Sequence, residues 1–443
     1  MRVEDTIAAI ATAPGQGAVG IVRISGPDVR EIARQIVAGV PPPRYARYGT
    51  VTDPLGRAID DAVVIYFAAP ASFTGEDVLE IQTHGGNIVT RDVLNAALAA
   101  GARSALPGEF TQRAFLGGKI DLIQAEAIAD LITSTSSRAA RLAHQSLSGD
   151  FSALVSSLNE TLKAVRVHLE ASIDFPDEGI SPAGLTALAE QTASVRAQIN
   201  SLLATARTGA RLNSGIDIAI VGEPNVGKST LLNRLAGSER AIVHTTPGTT
   251  RDVLTVELDI GGLSARVHDT AGIRDTENPI ELEGVRRARQ QIADADAVLH
   301  VFTQDSSPQA LLGELNVPVF AVRNKIDLTG EPPSVEVDGN RYQLAVSAKM
   351  DIGIDLLREA VLDAFELSGD AADSVVLARE RHLAALAEAA DALQFDHAAL
   401  YEQSPELGAE QLRLAGDALT RLTGEFTSED LLGEIFSTFC LGK

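Results

Sequence analysis

At 443 residues the chain is long enough for about two to four domains, and 45% apolar residues suffice for packed cores. A formal net charge of −23 with a pI near 4.7 repels phosphodiester backbones over most of the surface, so any nucleic acid must meet a local basic patch or a basic partner. One cysteine, Cys440, excludes an intrachain disulfide and a Cys-rich zinc site. No apolar run approaches the ~20 residues of a membrane span, and Glu4 and Asp5 precede a stretch broken by Pro14 and Gly15, so a cytoplasmic protein without a membrane segment is expected.

In chain order, residues 1–118 hold short β-rich runs at 19–24, 62–67 and 78–83 separated by Gly and Pro turns, which predicts an α+β domain. Its charge is nearly balanced, making it the least unfavourable place for an anionic ligand. Residues 119–212 turn Ala-, Leu-, Ser- and Gln-rich with helical spacing, and the same texture returns over 369–443. The segment 213–368 therefore interrupts a helical domain. The expected fold class is multidomain α+β and α/β: an N-terminal α+β domain, a helical domain, and an inserted Ras-like P-loop domain with a mostly parallel sheet.

The inserted segment carries the chemistry. Residues 222–229 read Gly-Glu-Pro-Asn-Val-Gly-Lys-Ser, a full phosphate loop following an apolar strand at 216–221 and opening a helix near Ser229. Lys228 can reach the β and γ phosphates, and the Ser229 hydroxyl can ligate Mg²⁺. Thr250, in Gly248-Thr249-Thr250-Arg251-Asp252, is the second expected magnesium ligand. Asp269-Thr270-Ala271-Gly272 ends a strand at 265–268, putting a carboxylate near the metal and an amide toward the γ phosphate. Asn324-Lys325-Ile326-Asp327 follows a strand at 317–322, and Asp327 can accept hydrogen bonds from N1 and the 2-amino group of guanine, which adenine cannot supply. Ser347-Ala348-Lys349 closes the base pocket. Five such elements in this order mark a GTPase. The expected GTP contacts are Asn225, Val226, Gly227, Lys228, Ser229 and Thr230, then His244, Thr245, Thr246, Pro247, Gly248, Thr249 and Thr250, then Asp269, Thr270, Ala271 and Gly272, and finally Asn324, Lys325, Asp327, Ser347, Ala348 and Lys349.

The residue after Gly272 is Ile273, where Ras-like proteins often place the glutamine that orients water. Another group must take that task, and the acids at Asp275, Glu277 and Glu281 are within reach in sequence.

The phosphate loop, the Gly-Thr-Thr-Arg-Asp element, the inserted GTPase segment and the terminal Phe439-Cys440-Leu441-Gly442-Lys443 together resemble the MnmE (TrmE) family of tRNA modification GTPases. Further support comes from Phe-Thr-Gly-Glu-Asp-Val-Leu-Glu at 73–80, Pro-Gly-Glu-Phe at 107–110, Gln-Ala-Glu-Ala-Ile-Ala-Asp-Leu-Ile at 124–132, Phe-Pro-Asp-Glu at 175–178 and Gly-Glu-Phe-Thr-Ser-Glu-Asp-Leu-Leu at 424–432. The resemblance covers essentially the whole chain. It implies a homodimer held by residues 1–118, which also bind 5-formyltetrahydrofolate. It further implies a flavin-dependent partner, MnmG (GidA), in a heterotetramer, and installation of aminomethyl or carboxymethylaminomethyl at C5 of the wobble uridine, position 34, of certain tRNAs, with a tetrahydrofolate one-carbon unit. GTP hydrolysis in the family depends on K⁺, and on this chain the resemblance gives the K⁺ ligands as Asn225, His244, Thr246 and Thr249. The water-orienting glutamate falls at Glu281, with Glu283 the close alternative.

For folate the resemblance gives Arg23, Glu80, Lys119 and Lys443. A pterin edge suits a carboxylate and a glutamyl tail wants cations, although Arg23 and Glu80 on predicted strands can equally form a structural ion pair and Lys119 can cap a loop. Gln16 stands where a basic residue is expected in the first Gly-rich turn. Cys440 as a nucleophile at uridine C6 competes with an inert, partly buried thiol, and His84 is expected in a turn. An Era-like regulatory GTPase that binds RNA or the ribosome without base modification is the alternative. The acidic balance and the lack of a basic tail argue against it.

Overall fold

The structure is a computed structural model that describes residues 5–134, 136–174, 181–235, 242–243, 255–269, 292–304, 315, 317–365, 367, 376–424, 429–437, 439–440 and 442. The chain divides into two compact units. One comprises Met1–Ala129, Leu147–Glu160 and Gly416–Lys443, and the other Asp130–Ser146 and Thr161–Ala415.

The first unit opens with β1 (Ile7–Ile10), β2 (Val19–Ser25), α1 (Val29–Ile36), β3 (Ala46–Thr52), β4 (Ala58–Phe67), β5 (Val78–His84), α2 (Asn87–Ala99), β6 (Arg103–Ser104) and α3 (Glu109–Leu116). The strands form one sheet in the order β3-β4-β5-β2-β1-β6, antiparallel except at β1 and β6. Period-two alternation decides which residues enter the core. Val22 and Ile24 of β2, with Leu79 and Ile81 of β5, pack under Val29, Ile32 and Ile36 of α1 and Val93 and Ala97 of α2. Arg23 therefore points to the opposite face, toward Phe110 of α3. The α+β expectation for this segment holds, with each predicted strand lengthened by one to four residues.

Four helices follow: α4 (Leu122–Thr133), α5 (Ser137–Ser148), α6 (Asp150–Asp174) and α7 (Pro182–Ser214). The start of α7 is specified locally, because Ser181 accepts a hydrogen bond from the Gly184 amide and Pro182 occupies the first turn. Next come β7 (Ile216–Val221), α8 (Lys228–Leu235), β8 (Ile242–Val243), β9 (Thr255–Ile260), β10 (Leu263–Asp269), β11 (Ala297–Phe302), β12 (Val319–Arg323), β13 (Ser334–Asp338), β14 (Arg341–Ala345) and α9 (Ile354–Ala364). The sheet order is β13-β14-β12-β11-β7-β10-β9-β8. The five strands from β14 to β10 run parallel, so their carboxyl ends share one edge, where ligands bind in such sheets. The chain then forms α10 (Glu380–Ala392), α11 (His397–Gln403), α12 (Pro405–Thr423) and α13 (Glu429–Ser437).

Within the second unit the sheet core is continuous with helical residues: Leu142 and Ala143 of α5 and Leu212 of α7 join Ile216, Leu258 and Leu263. The buried Thr192 and Tyr401 hydroxyls share a 2.8 Å hydrogen bond between α7 and α11, and Arg379 pairs with Asp130 at 2.6 Å. Within the first unit, Phe436 and Phe439 pack with Leu122 and Phe115. Asn159 donates to Thr420 Oγ1 at 3.1 Å. Among the described residues no helix is long and apolar enough to cross a membrane.

Asp217 ties the first strands of the parallel sheet. Its carboxylate accepts from Arg266 Nε at 2.9 Å and Nη2 at 2.6 Å, and pairs with His268 Nε2 at 2.8 Å. The Arg266 guanidinium holds this carboxyl below its ordinary range, with partial burial working the other way. A carboxyl depressed in the folded state adds stability above its unfolded pKa, about 3.9, and that stability is lost as pH falls through the lower folded value. Acidifying from about pH 5 to pH 3 should therefore lower the unfolding midpoint more steeply in the wild type than in Asp217→Asn. Parallel midpoint curves across that window would show that the pair adds nothing.

Candidate nucleotide-binding site

Where β7 ends, the chain makes a loop that only particular residues permit. Gly222 has φ of 152°, and a Cβ there would lie 2.2 Å from Val301 O on β11. Gly227 has φ of 100°, and its Cβ would come within 2.4 Å of Asn324 Nδ2. Both positions exclude a side chain, the first because the loop crosses a neighbouring strand and the second because the base-reading segment approaches it. Asn225 also takes a positive φ, 67°, which an asparagine tolerates better than most residues. Helix α8 begins at Lys228 and its first internal bond runs from Leu231 N to Gly227 O at 2.9 Å. The amides of the first turn thus have no intrahelical partner and form an anion-binding end. Lys228 Nζ lies across the loop, donating to Gly222 O at 2.7 Å and Glu223 O at 3.2 Å. Ser229 and Thr230 are exposed, so the Ser229 hydroxyl at the helix start suits a hard ion that also takes phosphate oxygens.

The base-reading segment follows β12. Asn324 is buried, 5% exposed, and its amide bonds to three neighbours: Nδ2 donates to Val226 O at 2.8 Å, while Oδ1 accepts from Lys325 N at 2.8 Å and Ala348 N at 3.0 Å. Lys325, at φ of 69°, donates from Nζ to Asn225 O at 2.8 Å. Asp327 lies exposed on a short 3-10 turn, Ile326–Leu328, and its Oδ1 accepts from the buried Ser347 hydroxyl at 2.6 Å. The structure thus brings together Asn225, Val226, Gly227, Lys228, Asn324, Lys325, Asp327, Ser347 and Ala348. Lys349 follows Ala348, and Asp269 ends β10 beside β7. His244, Thr245, Thr246, Pro247, Gly248, Thr249, Thr250, Thr270, Ala271, Gly272, Glu281 and Glu283 lie outside the described residues. This arrangement can hold a polyphosphate at α8 and a purine against Asp327, joined by hydrogen bonds between the two.

The first unit carries the second cluster. Arg23 and Glu80 face each other across β2 and β5, with Nη2 to Oε1 at 2.9 Å and side chains 19% and 17% exposed. The structural ion pair is thus formed. The Arg23 guanidinium also lies 5.7 Å from the ring centres of both Phe73 and Phe110, a cation–π geometry, and Nη1 reaches Gly442 O at 3.5 Å. Lys119 Nζ donates to Pro70 O at 3.0 Å. Lys443 lies outside the described residues. The C-terminal segment returns to the N-terminal sheet, with Gly108 N donating to Cys440 O at 3.4 Å.

Two expectations need correction. Cys440 is exposed rather than partly buried, because the chain makes contact here through its backbone and through Phe436 and Phe439. His84 ends β5 rather than lying in a turn, and its Nδ1 pairs with Asp60 at 2.9 Å. Sequence reasoning also missed Arg113, whose side chain is 2% exposed and which pairs with Asp5 at 2.7 Å, Glu109 at 3.0 Å and Glu76 at 3.2 Å. Glu76 in turn accepts from Ser25 Oγ at 2.7 Å. The i,i+4 spacing of Glu109 and Arg113 was the one readable signal.

The "MnmE helical domain" family model matches residues 122–440, and that for the "GTP-binding protein TrmE N-terminus" matches residues 6–119. Among curated relatives, the chain is 46% identical over 445 residues to a tRNA modification GTPase MnmE of Methylococcus capsulatus, covering 99% of each chain. It is 47% identical to that of an Azoarcus species, over 100% of this chain and 99% of the relative. The protein of the same name from Proteus mirabilis is 45% identical over the full length of both. With its two family segments abutting and its relatives matched end to end, the chain belongs to the MnmE (TrmE) family.

Proposed function

We propose that this chain is a tRNA modification GTPase that couples GTP hydrolysis to installation of aminomethyl or carboxymethylaminomethyl at C5 of the wobble uridine of certain tRNAs, acting with a flavin-dependent MnmG-type partner. The observation that carries the nucleotide half is the Asn324 amide, which bonds to the phosphate loop and to the base-closing turn at once. The relatives' shared name carries the tRNA half.

In this reading the amides of the first α8 turn and Lys228 bind the phosphates, Ser229 and Thr250 hold Mg²⁺, and Asp327 selects guanine. Asn225, His244, Thr246 and Thr249 hold K⁺, which when bound neutralises charge between the β and γ phosphates. The positive φ of Asn225 supports its place at the loop crest. Glu281 orients the attacking water. Residues 1–118 form the dimer and bind 5-formyltetrahydrofolate with Arg23, Glu80, Lys119 and Lys443, and the aromatic rings flanking Arg23 suit a flat pterin. The helical portions 119–212 and 369–443 frame the GTPase segment 213–368, and the dimer joins two partner chains in a heterotetramer in the cytoplasm.

Hydrolysis should be faster in K⁺ than in Na⁺, and Asn225→Ala should remove most of that difference with nucleotide affinity little changed. Glu281→Ala should slow turnover on the order of 10²-fold, with Glu283→Ala mild. Equal rates in both salts, or the reverse ranking of the two glutamates, would overturn these assignments.

Mass spectrometry of wobble uridines tests the modification itself. A strain lacking this protein should lose the C5 substituent, and Arg23→Ala should lose it too while hydrolysing GTP at the wild-type rate and binding folate poorly in calorimetry. Unmodified levels unchanged by the deletion would favour a regulatory GTPase.

A further inference from the structure

The turn that closes the base pocket is held by a residue of the phosphate-binding helix. Arg234, in the last turn of α8, donates from Nε to Ala348 O at 3.0 Å and from Nη2 to Lys349 O at 3.1 Å. The helix end that carries it is fixed in turn, because Arg358 of α9 donates to Arg234 O at 3.0 Å while holding Asp355 at 2.7 Å. Leu231, Leu232 and Leu235 bury the other side of α8 in the sheet core. The guanidinium is thus presented from a rigid base, although its side chain is 46% exposed.

The geometry points to Arg234 as a positioning residue for guanine recognition, acting through the turn on the carboxylate of Asp327. Peptide units are planar and trans, so pinning the Lys349 carbonyl on one side fixes the Met350 amide on the other. That amide donates to Ser347 Oγ at 3.2 Å, and the Ser347 hydroxyl donates to Asp327 Oδ1 at 2.6 Å. Pinning the Ala348 carbonyl likewise orients the adjoining peptide, and the Ala348 amide already meets Asn324 Oδ1. One flat fork therefore sets two consecutive carbonyls and, through one amide and one hydroxyl, the plane of the acid that reads the base. A lysine can offer charge but not two donors in a fixed plane. This inference rests on the guanine-nucleotide reading of the site.

The test uses the full-length protein and compares affinities for GDP, inosine diphosphate and ADP, with unfolding midpoints alongside. Inosine keeps N1–H and lacks the 2-amino group, so the ratio of GDP to inosine diphosphate affinity reports how well the carboxylate engages both donors. Arg234→Ala should weaken GDP by roughly tenfold, the scale of one hydrogen bond to a charged group, and inosine diphosphate by no more than about threefold, so the ratio falls. Arg234→Lys should fold as the wild type and show the same lowered ratio, which keeps the test decisive if the alanine variant does not fold. Equal weakening of both nucleotides, or a ratio restored by lysine, would overturn the assignment and leave Arg234 as a stabilising contact. A wild-type protein that does not prefer GDP over ADP would instead overturn the guanine-nucleotide reading itself.

Discussion

One buried carboxamide holds the nucleotide site together. Asn324 has no solvent to satisfy it, and an unpaired amide at that depth costs about 1–3 kcal/mol. Its Nδ2 donates to Val226 O of the phosphate loop and its Oδ1 accepts from the Lys325 and Ala348 amides. Three loops that leave the sheet at different strands become one surface. The closeness of Asn324 to the phosphate loop is also why position 227 must be glycine, since a Cβ would collide with the amide nitrogen.

The rest of the second unit serves this edge. Parallel strands place their carboxyl ends along one edge, so the phosphate loop after β7 and the Asn324–Asp327 segment after β12 leave the sheet on the same side with only β11 between them. Lys325 adds a second tie, from its ammonium to Asn225 O. The first unit uses a different device. Arg113, almost wholly buried, gathers carboxylates from the N-terminus, from the loop before β5 and from its own helix, and so fixes the segment that carries Phe73 beside Arg23. Asp5 is held below the usual carboxylate range chiefly by its hydrogen bond to Arg103, which adds a further clamp on the N-terminal end of the chain.

Much of this was legible in the residues. The 216–221 strand and the phosphate loop follow from an apolar run broken by glycines, because a close-packed turn over a strand end admits few other residues. Asp327 was legible as the expected guanine reader, since a carboxylate can accept from N1 and the 2-amino group, whereas the bonds of Asn324 and Lys325 to the phosphate loop were not. What the sequence could not give was the partner of each: Arg113 and Arg234 make their bonds to backbone and acids up to 115 residues away, and no local pattern encodes such distances. The exposure of Cys440 was illegible for the same reason, because it depends on how the C-terminal segment docks beside Gly108. His84 was misread because the Gly85-Gly86 pair suggested a turn one residue earlier than the strand ends.

Phosphate binding and base reading thus form one coupled site. Calorimetric titration of Asn324→Ala with GDP and with inorganic triphosphate tests it most directly. If the carboxamide joins the loops, both ligands lose affinity together, the triphosphate by several-fold although it carries no base. Triphosphate binding at the wild-type level, with only GDP weakened, would show that the two halves are not coupled and make Asn324 a reader of the base alone.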